Sequence, residues 1–283
     1  MKHAYLIIAH TDYNLLQQLV QQLDDARNDL YIHIDRKADF DGKKIRTCHS
    51  GLYVLPQRIS AYWGDYSLVE VELLLFETAF KRGEYAYYHL LSGVDLPIQS
   101  QDEIHRYCEQ HDGTEFIGFA QNVSSEELRW RSQHYFLFSK DFRSTSVWKR
   151  AMRAAFVRFQ DWLGYRRSGW EIKKGAQWCS VTQNFVCYLL VHREEVRKAF
   201  HHTYCPDELV MQTLCWNSPF REKAFTDTDE FEACKRFIPW VNGELLPITL
   251  DDVREMVQSD KWFARKFSSK DQEVIDSLLK TIR

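Results

Sequence analysis

Four short apolar runs, separated by helical patterns, constrain this chain more than anything else in it. "AYLIIAH" (Ala4–His10), "DLYIHID" (Asp29–Asp35), "GLYVLP" (Gly51–Pro56) and "YAYYHLLSG" (Tyr85–Gly93) each have the length of a buried strand. Between the first two, Leu15, Leu16, Leu19, Val20 and Leu23 recur at helical spacing. "SLVEVELLLFETAF" carries a long helix from about Tyr66 to Lys81. Ser100 and Glu103 form a capping-box pattern that opens a helix to about His111. "TEFIGF" (Thr114–Phe119) reads as a further strand. Strands that alternate with helices pair in parallel through crossovers. The pattern predicts an α/β fold with a mainly parallel central sheet flanked by helices. Ligands of such sheets bind beyond the carboxyl ends of the strands. Asp35, Ser92, Gly93 and Asp95 fall at such ends, so a nucleotide site is expected there, although Gly-x-Gly-x-x-Gly and Walker patterns are both absent.

With 283 residues the chain has room for one large or two small domains. It shows no repeat, low-complexity tract or clear linker, so one domain is expected over 1–283, with 1–120 as nucleotide-binding half and 121–283 as acceptor and catalytic half. Hydrophobic residues at 45% and charged residues at 27% exclude disorder. A net charge of −3 gives no field for nucleic acid. The first apolar run is too short for a signal peptide or a span, and no stretch approaches eighteen apolar residues. The seven cysteines are odd in number and lack paired metal spacing, so they read as reduced thiols in the cytoplasm. Nine Trp residues suit stacking on sugars or bases, and core packing accounts for most of them.

The middle of the chain differs. In segment 140–174, Trp148, Met152, Phe156, Phe159 and Leu163 sit at helical spacing among Lys149, Arg150, Arg153, Arg158, Arg166 and Arg167. Such a basic amphipathic helix docks on an anionic membrane surface, here through 144–167, or packs its apolar side on the domain and leaves the basic side solvated. The last third returns to α/β: "QWCSVT" as strand, "QNFVCYLLVH" as helix, "CPDEL" opening another helix, "RFIPW" (Arg236–Trp240) as short strand, "TLDDVREMVQS" as helix, then "KWFARKF" and a terminal helix from about Lys270.

Three stretches bear on chemistry. In "CPDEL", Pro206 and the acids Asp207 and Glu208 suit a helix start, and from that alone a structural role outweighs a catalytic one. "DTD" (Asp227–Asp229) resembles a metal-binding Asp-x-Asp but lies in a polar run far from any apolar strand, and reads as a solvated loop. The histidines lack zinc-like spacing. A site without metal neutralises a diphosphate with Arg and Lys, and the late stretches supply Arg236, Arg265 and Lys266. No Gly-x-Ser-x-Gly elbow supports a hydrolase.

Several stretches in order, "YLIIAH", "IHIDRKAD", "AYWGDYSLVEVELLLFETA", "YYHLLSGVDLPIQSQDEI", "KKGAQWCSVTQNFVCYLL", "YCPDELVMQTL" and "KWFARKF", resemble the core-2/I-branching β-1,6-N-acetylglucosaminyltransferase and peptide O-xylosyltransferase family (glycosyltransferase family 14). "LLSGVDLPI" and "PDEL" are the most specific. The compact length is similar to that of the family's bacterial members. The resemblance implies a GT-A-type fold and inverting, metal-independent transfer of GlcNAc or xylose from a UDP-sugar, without cofactor. Glu208 matches the catalytic base, and Asp207 becomes the structural acid beside it. Lys266 and Arg236 match the diphosphate-binding cations. Ala9, His10 and Asp35 match positions near the uridine. Trp63, Ser92, Gly93 and Asp95 match the wall of the site, and Arg129 and Arg131 a basic stretch near donor or acceptor. The acceptor implied is a glycan, free or lipid-linked, in polysaccharide biosynthesis at the inner face of the cell membrane. Two alternatives stay open: a metal-dependent transferase using Asp227 and Asp229, and a non-catalytic carbohydrate- or nucleotide-binding module in which Glu208 only caps a helix.

Overall fold

A computed structural model describes residues 1–40, 45–165, 167, 169–241 and 244–282. The first half runs β1 (His3–Ala9), α1 (Tyr13–Gln22), β2 (Asn28–Ile34), β3 (Gly51–Val54), α2 (Ser67–Arg82), β4 (Tyr87–Ser92), β5 (Leu96–Pro97) and α3 (Gln101–Gln110). Then come α4 (Ser125–Gln133), α5 (Val147–Leu163), β6 (Ser180–Thr182), α6 (Gln183–Val191), α7 (Arg193–Phe200), α8 (Val210–Trp216) and α9 (Glu230–Ala233). The chain closes with β7 (Arg236–Phe237), β8 (Trp240–Val241), β9 (Glu244–Leu245), α10 (Leu250–Gln258), β10 (Phe263–Ala264) and α11 (Gln272–Thr281).

The central sheet has the order β3-β2-β1-β4-β6. All its pairs are parallel except β4 with β6. β1 is the middle strand and is buried on both faces. Its period of two splits the core. Ala4, Leu6 and Ile8 pack with residues of α2, α6 and α8, and Tyr5, Ile7 and Ala9 with α1, α3, α10 and α11. Each cluster draws helices from both halves of the chain. The mainly parallel α/β sheet read from the sequence is observed.

Two expectations need correction. Thr114–Phe119 does not form a strand: it makes only isolated bridges, Glu115 with Ala224 and Phe116 with Ser180. At Gly118 another loop crosses its backbone, and a Cβ on Gly175 would lie 1.9 Å from the Gly118 carbonyl oxygen. The "RFIPW" strand is two residues long and belongs to a small second sheet, β5-β10-β7.

Helix α5 departs from the packed alternative. Only Val157 and Gln160 are buried. The apolar stripe of Trp148, Met152, Phe159, Trp162 and Leu163 faces solvent, with Trp162 78% exposed. Polar groups tie the helix down instead. Gln160 Nε2 donates to the Tyr135 carbonyl at 2.9 Å, and the Tyr135 amide donates to Gln160 Oε1 at 2.8 Å. Arg153 donates to the carbonyls of Leu137, Phe138 and Asp141. Arg166 lies outside the described residues.

Candidate active site

The carboxyl ends of β1, β2 and β4 form the floor. Gly93 lies against β1, where a Cβ would come within 2.9 Å of the Ala9 Cβ, so only glycine lets the two strand ends approach this closely. The Asp35 amide donates to the Ala9 carbonyl at 2.9 Å. The Asp35 carboxylate accepts from the amides of Lys37 at 2.7 Å and Ala61 at 3.2 Å, so it organises the loop that leads to Trp63. His10 is exposed at the end of β1, beside buried Ala9.

The Ser92–Asp95 turn anchors a cationic wall. Ser92 Oγ donates to Asp95 Oδ1 at 2.5 Å, and the Ser92 amide to Asp95 Oδ2 at 2.9 Å. Arg265 Nε lies 3.4 Å from Asp95 Oδ1, and its guanidinium stacks on Trp178 at 4.0 Å. Burial lowers the pKa of Arg265, and partial burial, helped by the Arg265 charge, lowers that of the Lys266 amine beside it. Arg236 stands behind them, 1% exposed, and donates to the carbonyls of Cys234 at 2.7 Å and Cys179 at 2.9 Å. The two-residue strand β7 places the Arg236 guanidinium among these core carbonyls. Three cations thus share the Asp95 carboxylate, leaving an excess of positive charge at the strand ends.

The other wall carries Glu208. The expected single helix start is instead two pieces: a 3-10 turn at Pro206–Glu208, then α8 from Val210. Asp207 is buried and its Oδ1 has no hydrogen-bond partner among the described residues. Burial, then the charge of Glu208, pushes its pKa up to about 7. The Glu208 carboxylate is 40% exposed and accepts a 2.7 Å hydrogen bond from Arg131 Nη2. Arg131 is buried. Burial opposes its charge, but Glu208 and Glu127 outweigh that and its pKa is raised. Arg129 lies two positions away on α4, roughly 200° around the helix, and is exposed and paired with Asp161 on α5 at 3.3 Å. The structure therefore separates the two arginines expected together.

Sequence reading missed Glu127, Lys174 and Glu230, which complete this wall. Glu127 lies 3.4 Å from Arg131 and 3.2 Å from Lys174. Burial lifts Glu230 to about 7, with Lys174 opposing and Glu208 adding to the rise. The Gly175 amide donates to the Glu208 carbonyl at 2.9 Å, so the Lys174–Trp178 loop joins the Glu208 wall to the Arg265 wall. Arg143 joins them again: it stacks on exposed Trp63 at 4.5 Å and lies close enough to Lys266 to depress its pKa. Trp63 meets Tyr204 edge to face at 5.9 Å, next to Arg131. A cavity of about 1080 Å³ opens alongside, lined by Arg36, Arg58, Tyr62, Lys140 and His201 rather than by the expected site residues.

Asp229 caps α9, its Oδ1 accepting from the amides of Phe231 and Glu232, so one half of the Asp-x-Asp pair is engaged in a helix start. Among the described residues, one group brings ligating atoms together: His3, His89 and Cys108, all buried. All seven cysteines are free.

The sequence profile of the Core-2/I-branching enzymes matches residues 3–262. The chain belongs to that family. A human relative, "Beta-1,3-galactosyl-O-glycosyl-glycoprotein beta-1,6-N-acetylglucosaminyltransferase", is 23% identical over 251 residues, covering 84% of this chain. This Core-2/I-branching chain spans about half of that relative, 54% of its length. Among solved structures, Staphylococcus aureus TarS 1-349 is similar with a TM-score of 0.35 and 10% identity, over 77% of this chain and 56% of that one. The same protein in complex with UDP-GlcNAc gives a TM-score of 0.25 and 12% identity, over 52% and 44%. Among the described residues of this family member, no helix is long and apolar enough to cross a membrane.

Proposed function

We propose that this chain is an inverting, metal-independent glycosyltransferase of GT-A type. It moves GlcNAc from UDP-GlcNAc to a hydroxyl of a glycan, free or carried on a lipid. Family membership supports sugar transfer, and the human relative's named activity favours GlcNAc over xylose. The observation that supports the mechanism is the half-exposed Glu208 carboxylate held at 2.7 Å by buried Arg131. Glu208 takes the proton from the acceptor hydroxyl as that oxygen attacks the anomeric carbon. The bond from that carbon to the diphosphate breaks on the opposite face, and UDP leaves with the electron pair. Lys266 and Arg265 meet the charge that develops on the diphosphate, and Arg236 adds its field from beneath. Arg131 orients the base, and the Trp63 indole offers a stacking face for a sugar.

The test is Glu208→Gln. Loss of a general base lowers turnover by about a hundredfold or more. The variant should bind UDP as the wild type does, while Lys266→Ala weakens UDP binding and transfer together. Retention of more than a tenth of transfer by Glu208→Gln overturns the assignment. Thermal stabilisation by UDP-GlcNAc in EDTA supports the metal-free site. Stabilisation that needs manganese moves the reading to an acidic metal site, and stabilisation by UDP-xylose instead changes the donor.

A further inference from the structure

Helix α5 presents its apolar face outward, and that face has a defined chemistry. Trp148, Met152, Phe159 and Trp162 follow one another at steps of four, seven and three residues, which keeps them on one side of a helix about 25 Å long. Val147 and Leu163 extend the stripe at its two ends, both more than half exposed. Arg158 is exposed on one flank of the stripe, Arg150 is exposed toward the back of the helix, and neither forms an ion pair among the described residues. The helix carries four basic residues, Lys149, Arg150, Arg153 and Arg158, against one acid, Asp161. Asp161 is already engaged by Arg129 at 3.3 Å and by His134 Nε2 at 3.0 Å. At the root of the helix an apolar hollow of about 510 Å³ is lined by Phe136, Leu137, Phe138 and Phe156.

We propose that the outward face of α5 docks the chain on an anionic lipid surface. Tryptophan and phenylalanine beside unpaired arginines fit the boundary between acyl chains and negatively charged headgroups. A second copy fits less well. Pairing this face with itself brings the Arg158 flanks of two strongly basic helices together, with no free carboxylate on the helix to offset them. The helix stays attached while its apolar side is given up, because Gln160 and Arg153 hold it by hydrogen bonds. Docking stands apart from sugar transfer and is read without turnover.

The experiment is flotation of the full chain with vesicles of phosphatidylglycerol and phosphatidylcholine, and with phosphatidylcholine alone, at about 50 and 500 mM salt. Binding is expected to the anionic vesicles at low salt, at least tenfold weaker at high salt and at least tenfold weaker on phosphatidylcholine alone. The triple variant Trp148→Ser, Phe159→Ser, Trp162→Ser should lose at least tenfold of that binding, as should the double variant Arg150→Glu, Arg158→Glu. All five positions are exposed, and circular dichroism with light scattering confirms that each variant is folded and monomeric. Absence of flotation with anionic vesicles at low salt overturns the proposal, as does a triple variant that floats like the wild type. A wild-type dimer that the triple variant converts to monomer assigns the face to a second copy and overturns it as well.

Discussion

Helices α2 and α5 have 16 and 17 residues. From α2, the buried Glu72 carboxylate lies close enough to Asp207 for the two charges to interact. From α5, Arg153 stacks on Phe142, which meets Tyr204 edge to face at 4.8 Å beside Cys205. Their sequences are amphipathic alike. Their orientations are opposite: α2 buries Val69, Val71, Leu73, Leu75, Phe76 and Ala79, whereas α5 buries only Val157 and Gln160. The difference teaches that periodicity reveals a face without revealing what the face looks at. The core takes the apolar side of α2. Hydrogen bonds to loop carbonyls hold the polar side of α5.

Substitutions test this contrast directly. The largest effect belongs to Phe76→Ala in α2, where loss of a buried ring costs about 3–5 kcal/mol in urea unfolding; a cost below about 1 kcal/mol would dissolve the distinction.

Next is the buried acid of α2. Desolvation, and then the charge of Asp207, raises the Glu72 pKa well above its ordinary value. The stability of the neutral form is fully present below the ordinary value near 4.5 and is lost as pH rises through the raised one. Glu72→Gln removes that loss. The variant should gain on the wild type between pH 5 and 8, by up to about 1.4 kcal/mol per pH unit. A gap that does not change with pH would mean that water reaches Glu72.

In α5 the sensitive position is polar. Gln160→Leu leaves the amide and carbonyl of Tyr135 without their partner and should cost about 1–3 kcal/mol. A neutral outcome would show that α5 is held by something other than these bonds. The smallest effect belongs to Phe159→Ala, within about 0.5 kcal/mol of wild type, because its ring is half exposed. A loss as large as that of Phe76→Ala would show that the stripe is covered.

Much of the fold was legible because β1, β2 and β4 are continuous apolar runs, as strands covered on both faces must be. Ser100 was legible as a cap because its partner Glu103 lies three residues on. The site was legible only where a motif carried it. Glu208 and Lys266 sit in distinctive stretches, but Arg131 meets Glu208 across 77 residues, and nothing local marks that pairing. Glu127 and Glu230 lie near helix starts, where acids are ordinary, and so escaped notice. The burial of Arg236 depends on a two-residue strand, too short to leave a periodic trace. The orientation of α5 depends on carbonyls of residues 135–141, which have no sequence signature.

The crossing of Gly118 and Gly175 has a practical consequence for anyone wishing to change what this cleft accepts. The loop from Lys174 to Trp178 touches both walls, which makes it an attractive target for randomisation. At position 175 the smallest added side chain would overlap a carbonyl oxygen of a neighbouring segment, and the adjoining amide supports the backbone of Glu208. A library across this loop should hold 118 and 175 constant as glycine and vary Lys174 and Ala176. Its diversity would then fall on side chains and leave the backbone crossing beneath them undisturbed.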